Sequence, residues 1–408
     1  MKPGRALHIG IYAGHIRLGD SGGTEVFKNE LVTALARHAQ IHHYTVILDR
    51  SEAVPLKKVP NRLQFGSIEI SKYFQHFDHL AWLIWRRKRM LYPDLVDYLL
   101  MMKARRFCLK LGIDVLHFPA TVIPPQFCSL GFPAVLTFFD MQHEFFPDNF
   151  SASDLTIRRL SYRKAVESVD RIIAPSGFTR QTLVERYGTP EEKISLLPVG
   201  VPGDYARVSK LKIIGVRRKH GLPENYIFYP ANPWPHKNHE FLLRAFKRVI
   251  SRWSNDLHLV FTGRINGNNT DIGPLITDLG ISARVHELGF VQREDMPTLY
   301  SGARMMVFPS RFEGFGMPVL EAMACGCPVA AANSTSIPEV AGGAALLFDP
   351  MDEAGMADAI LKLLEDPELS RSMVERGYRR ASELSWENIV PRLERLYSDT
   401  FDRKWGTV

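Results

Sequence analysis

FPSRFEGFGMPVLEAMACGCPVAAA, residues 308–332, contains a strand, a loop, a helix and a second strand in close order. An apolar run, RMMVFPS at 304–310, ends in a loop where Glu313, Gly314, Phe315 and Gly316 follow one another. Pro318 suits the first turn of the next helix, where a missing N–H costs nothing. That helix, VLEAMAC, stops at Gly326 with Pro328 just beyond, as helices do when a left-handed glycine ends them. PVAAA at 328–332 is the following strand. The passage sets the amides of Phe315, Gly316 and Met317 above the carboxyl end of a strand. Glu313 stands in the loop, and Glu321 stands eight residues later on the helix. Amides at a helix start suit a phosphate, and the two carboxylates suit sugar hydroxyls. A loop acid beside a solvated helix acid explains either glutamate alone. It does not explain the cassette.

Working outward, the same rhythm recurs in both directions. LHIGIYA (7–13), YTVIL (44–48), IDVLHF (113–118), PAVLTFF (133–139) and RIIAPS (171–176) read as strands, with helix-period segments such as 23–39 among them. YIFYPA (226–231), LHLVFTG (257–263) and RVHELGF (284–290) restart the pattern, with an amphipathic helix at 239–252. That order predicts α/β architecture with parallel sheets. Pro, Gly and basic residues break the rhythm at 199–225. We place the first domain at 1–205 and the second at 206–385. Two such halves face a central cleft, and ligands gather at the carboxyl ends of their strands.

The chain has 408 residues, 45% of them hydrophobic and 23% charged. That suits two soluble domains rather than a disordered chain. No apolar run reaches the roughly 18 residues a membrane span needs. The N-terminus lacks a signal-peptide pattern, and four scattered cysteines make no disulfide framework, so a cytoplasmic location is expected. The net charge is +7, and residues 1–200 hold the whole excess, with 26 Lys and Arg against 19 Asp and Glu. An anionic partner follows.

Three further segments bear chemistry. Gly22 and Gly23 open a helix after the first strand in GGTE, 22–25. Paired glycines there allow close approach of an anion, although a plain turn explains them equally. The spacing is not GxGxxG, which disfavours a nicotinamide-dependent oxidoreductase. Lys237 lies in NPWPHKN, 232–238. The stretch HFDHLAWLIWRRKRMLYPD, 76–94, interleaves Trp82, Trp85 and Tyr92 with Arg86, Arg87, Lys88 and Arg89. It suits an anionic membrane interface or single-stranded nucleic acid. A helix with a solvated basic side is the plainer reading.

Taken in order, these segments resemble the retaining GT-B glycosyltransferases of family 4. The cassette at 308–332 resembles their E-x7-E signature, and GGTE their N-terminal glycine loop. APSGFTRQTL (174–183) and KISLLPVGVP (193–202) resemble the approach to their interdomain linker. The resemblance implies a GT-B fold, two Rossmann-like domains about a cleft, with a last helix (386–408) crossing back to the first domain. It implies sugar transfer from a nucleotide diphosphate donor to a glycan or lipid-linked acceptor, with no cofactor beyond that co-substrate. Glu313 then contacts the donor sugar, Glu321 the ribose, and Phe315, Gly316 and Met317 the sugar and diphosphate. Lys237 neutralises the diphosphate. The likeness also favours the membrane for 76–94, no nucleic-acid partner, and a peripheral place at the inner face of the plasma membrane. A GDP-mannose donor is suggested by polysaccharide-building members.

Two positions depart from the family pattern. An arginine is usual six residues before the lysine, and Ala231 stands there; Arg264 in FTGR is the candidate replacement cation, with a plain surface arginine as the alternative. A histidine–aspartate pair usually follows the strand at 133–139. Here Phe139 replaces the histidine, while Asp140 stays and His143 follows. Asp140, His143, Glu313 and Lys237 are therefore the expected catalytic set. Phe139 also keeps open a non-catalytic sugar-nucleotide-binding protein. No Asp-x-Asp occurs in the chain, so no metal site is expected.

Overall fold

A computed structural model describes residues 5–14, 23–48, 63–67, 93–254, 256–263 and 270–406. The apolar runs form two parallel sheets. The first contains β1 (His8–Gly14), β2 (His43–Leu48), β3 (Leu63–Ser67), β4 (Val115–Phe118), β5 (Ala134–Thr137), β6 (Arg171–Ala174) and β7 (Ile194–Leu196), in the order β3-β2-β1-β4-β5-β6-β7. The second contains β8 (Tyr226–Pro230), β9 (His258–Thr262), β10 (Val285–Glu287), β11 (Met305–Phe308), β12 (Val329–Ala332) and β13 (Leu346–Phe348), in the order β10-β9-β8-β11-β12-β13. All pairings are parallel. The central strands β4, β5, β11 and β12 are buried along their whole length. Helices cover both faces, so these strands are continuous apolar runs instead of alternating ones.

In each sheet the order reverses direction between two neighbouring strands. These are β1 and β4 in the first sheet and β8 and β11 in the second. The loops after β8 and β11 diverge there and leave a crevice, where ligands of doubly wound sheets bind. Lys237 follows β8 and Glu313 follows β11, so topology alone brings these two residues to one crevice.

The strands β3, β7 and β13 have no counterpart in the reading of the sequence. β7 and β13 have three residues each and lie at sheet edges. So short a run carries no periodicity, and β7 was read as part of the linker approach.

The helix Trp386–Trp405 lies on the first sheet. Its Glu394 carboxylate is buried and accepts from the backbone N–H groups of Gln40, Ile41 and His42 and from the Tyr44 hydroxyl. Its Tyr397 hydroxyl lies 2.8 Å from Nδ1 of His117, whose Nε2 lies 2.8 Å from Thr137 Oγ1. Burial pushes the His117 pKa down to about 3, so this ring is neutral. A carboxylate meeting three amides at its own end of the sheet fixes the helix in register.

Candidate active site

Lys237 sits in a short turn, Pro235–Lys237, directly after β8 and before the helix His239–Arg252. Two contacts hold that turn. The Tyr229 hydroxyl donates to the Lys237 carbonyl at 2.6 Å, and the Asn238 amide donates to the carbonyls of Pro309 and Pro350. Asn238 adopts φ 63°, a left-handed value that asparagine tolerates better than most residues. The Lys237 ammonium is then 2.6 Å from Oε1 of Glu313.

The loop 313–316 has its carbonyls satisfied, and beyond the Glu313 N–H, which donates to Thr335 Oγ1 at 3.1 Å, its amides are left over. Ser336 Oγ donates to the carbonyls of Glu313 and Phe315, at 2.9 Å each. The Gly314 carbonyl accepts from Ser176 Oγ at 2.7 Å and from Thr179 Oγ1 at 3.1 Å. Among the described residues, the N–H groups of Gly314, Phe315, Gly316 and Met317 donate to no acceptor. Gly316, at φ 97°, turns the chain into the helix Met317–Ala324, so unpaired amides and a helix N-terminus converge. That combination attracts an anion.

Glu321 lies on the same helix and accepts from the Tyr300 hydroxyl at 2.7 Å. Burial pushes its pKa up to about 7, with the Tyr300 bond opposing the rise. Arg293 stands near it and is held by Glu30 and Asp204.

Asp140 follows β5 and faces these groups from the first domain. Its Oδ1 accepts from the Gln142 N–H at 3.0 Å. Burial raises its pKa above the ordinary value, Glu313 raises it further, and Lys237 opposes. Phe139 packs edge-on against Phe27, and its carbonyl accepts from Thr179 Oγ1 at 3.0 Å.

His143 is placed differently from the expectation. It is 1% exposed, its ring stands edge-on to Tyr162 at 4.9 Å, and neither ring nitrogen has a hydrogen-bond partner. Burial lowers its pKa, so it is neutral. The one-turn helix Gln142–Phe145 directs alternate residues to opposite sides. His143 turns into the first domain, and Gln142 turns to the second, with Nε2 2.5 Å from His236 Nδ1. His143 therefore does not line the cleft. Gly23 begins its helix with open space about it. Gly22, Arg264 and the stretch 76–92 lie outside the described residues.

Several residues at the cleft had no signal of their own. Ser176 and Thr179 entered only as part of APSGFTRQTL; Ser176 caps its helix by accepting from the Thr179 N–H. Gln142 and His236 became site residues only when two domains met, and Tyr300 only when its helix packed beside Glu321.

Two Rossmann-like sheets about a cleft, with free amides and a lysine at the switch point of the second, make up the GT-B architecture. The Thermosynechococcus elongatus sucrose-phosphate synthase has the same fold, with a TM-score of 0.72 at 20% identity, over 97% of this chain and 100% of that one. So does Anabaena Alr3699/HepE in complex with UDP and glucose, with a TM-score of 0.71 at 19% identity, over 96% and 100%. The O-antigen chain mannosyltransferase B of Escherichia coli is 31% identical over 265 residues, covering 65% of this chain and 70% of the relative. Residues 215–380 match the glycosyl transferases group 1, and residues 21–205 match Glycosyltransferase Family 4. The chain belongs to this family and is a glycosyltransferase. No helix among the described residues is long and apolar enough to cross a membrane.

Proposed function

We propose that the chain moves a hexose, mannose in the first instance, from a nucleotide diphosphate to a hydroxyl of a glycan or lipid-linked acceptor, with retention of configuration. The observation that carries this is the loop 314–317, whose amides have no acceptor among the described residues while Lys237 stands beside it. Amides and ammonium together match a diphosphate. As the sugar–phosphate bond breaks, negative charge gathers on the leaving diphosphate, and a fixed cation with fixed dipoles lowers that barrier. Glu321 is suited to accept ribose hydroxyls. Glu313 is suited to the donor sugar, and its bond to Lys237 holds both in place before the ligand arrives.

Asp140 approaches the same point from the acceptor side. Phe139 has no proton to exchange, so its position contributes a backbone carbonyl and an apolar wall. In this reading the donor phosphate takes the acceptor's proton, and attack and departure share one face of the sugar. The proposed donor site uses protein-borne cations and needs no metal.

A mannosyl donor is supported by the relative that is an O-antigen chain mannosyltransferase. A UDP-linked sugar is the second reading, since HepE is described with UDP and glucose. A thermal-shift series with UDP, GDP, ADP and their sugars separates them. Proton NMR of the product's anomeric centre tests retention, and an inverted product overturns it. The stretch 76–94 is the proposed contact with an anionic membrane surface. Replacing Arg86, Arg87, Lys88 and Arg89 by Ser is expected to reduce sedimentation with anionic liposomes while nucleotide affinity stays.

A further inference from the structure

Away from the cleft, a groove of about 360 Å³ runs between edge strand β7 and the helix Trp386–Trp405. Arg171, Arg392 and Arg395 line it, with Ser195, Leu196, Leu197, Leu396 and Asp399. Arg403 stands next to Arg171, and both donate to the Glu192 carbonyl. Arg392 donates to the Leu196 carbonyl at 3.2 Å, and Arg395 to the Pro391 carbonyl at 3.3 Å. Among the described residues, none of these four arginines forms an ion pair with a carboxylate. Asp399 lines the groove without pairing.

Such an arrangement is costly as it stands. Guanidinium groups are always charged, and two of them share one carbonyl oxygen. Arg171 is only 7% exposed, so water screens it poorly. Burial and the neighbouring Arg403 lower its pKa, and the Asp399 carboxylate opposes them. Some exposed arginines elsewhere in the described chain, Arg159, Arg180, Arg252 and Arg284, pair with acids. Carbonyl partners leave most of each guanidinium's five donors unused. An anion with several oxygens would occupy them, and arginine favours phosphate through paired N–H bonds. The volume is roughly twelve times the ~30 Å³ share of a water molecule in the liquid. It holds a phosphate with a further group attached, and the three leucines supply an apolar wall.

We propose that this groove is a second anion site, separate from the donor cleft, which takes a phosphate ester or diphosphate on Arg171, Arg392 and Arg395. The site adjoins both chain crossings between the domains. The linker leaves at Leu197, and the returning helix begins at Trp386, beside the Val201–Ser385 bridge. A ligand there would tie edge strand to helix at the hinge.

The test uses the full chain carrying Lys237→Ala, which removes the cleft's phosphate cation. Inorganic diphosphate is titrated by calorimetry against that protein and against one also carrying Arg392→Ser and Arg395→Ser. Both arginines are exposed, so the fold tolerates their loss. The expected result is binding that weakens roughly tenfold or more in the second protein, as two charge-assisted hydrogen bonds are lost. A parallel arm measures sedimentation with phosphatidylcholine vesicles, with and without phosphatidic acid. Arginine-dependent binding of free diphosphate identifies a soluble phosphate compound as the ligand. Arginine-dependent binding of the acidic vesicles alone identifies a lipid headgroup. No binding in either arm, or binding that ignores the two substitutions, overturns the proposal.

Discussion

The Lys237 ammonium lies 2.6 Å from the Glu313 carboxylate, an ion pair joining the loop after β8 to the loop after β11. Both side chains are mostly buried, at 20% and 14% exposed. A pair so placed aligns the cation with the unpaired amides of 314–317 before any ligand binds. Lys237→Ala is expected to weaken a nucleoside diphosphate by about 1.5–3 kcal/mol, the range for a hydrogen bond to a charged group. The bare nucleoside should lose far less. Calorimetry with both ligands decides it, and equal losses would place Lys237 away from phosphate.

Gly314 presses on the opposite domain. A Cβ there would collide with the Phe139 carbonyl oxygen and lie 2.9 Å from the Asp140 Cβ. Neither backbone can yield while Ser176 and Thr179 hold the Gly314 carbonyl. Gly314→Ala should force the cleft open and lower turnover at least tenfold, about 1.4 kcal/mol. Nucleotide binding to the second domain should persist. Unchanged turnover would mean the two domains part during catalysis without needing this contact.

Asp140 has two separable jobs. Its oxygen accepts from the Gln142 N–H, and its charge faces Lys237. Asp140→Asn keeps an acceptor for the turn and removes the charge. Asp140→Ala removes both. If the charge matters, both variants lose about tenfold in turnover with donor binding little changed. If only the turn matters, Asp140→Asn retains wild-type rates.

Glu321 gives a pH signature. Its pKa rises from the ordinary 4.5 to about 7 on folding. The folded state therefore holds this proton more tightly than the unfolded chain. Stability falls as pH rises from about 4.5 to about 7, and this group adds no further change above that. The contribution is on the order of 3 kcal/mol. Urea unfolding at pH 5 and pH 8 should show a smaller decline for Glu321→Gln than for the parent. Parallel declines would show that Glu321 titrates normally.

Turnover should survive EDTA, because the proposed charges on the leaving group are met by Lys237 and backbone amides. Complete loss in EDTA with recovery on adding Mn²⁺ would contradict that reading.

The sequence by itself determined a good deal. Apolar runs separated by helix-period segments dictate parallel sheets, because strands covered on both faces must be apolar throughout. The loop 313–317 was legible for a local reason. Glycine, proline and a short helix fix where amides end up, within a dozen residues of one another. Lys237 and Glu313 were each legible but not as a pair, because only the order of the folded sheet puts the strands before them side by side at the switch point. Where function depended on two domains meeting, the sequence was silent. His143 and Gln142 are adjacent and equally polar, and only packing against Tyr162 and His236 sends one inward and the other across. Ser176 and Thr179 satisfy their own helix whether or not a second domain exists, so nothing local announces their bonds to Gly314. The arginine groove is the same case. Arg171 and Arg392 are 221 positions apart, and only the return of the last helix to the edge of the first sheet brings their charges into one place.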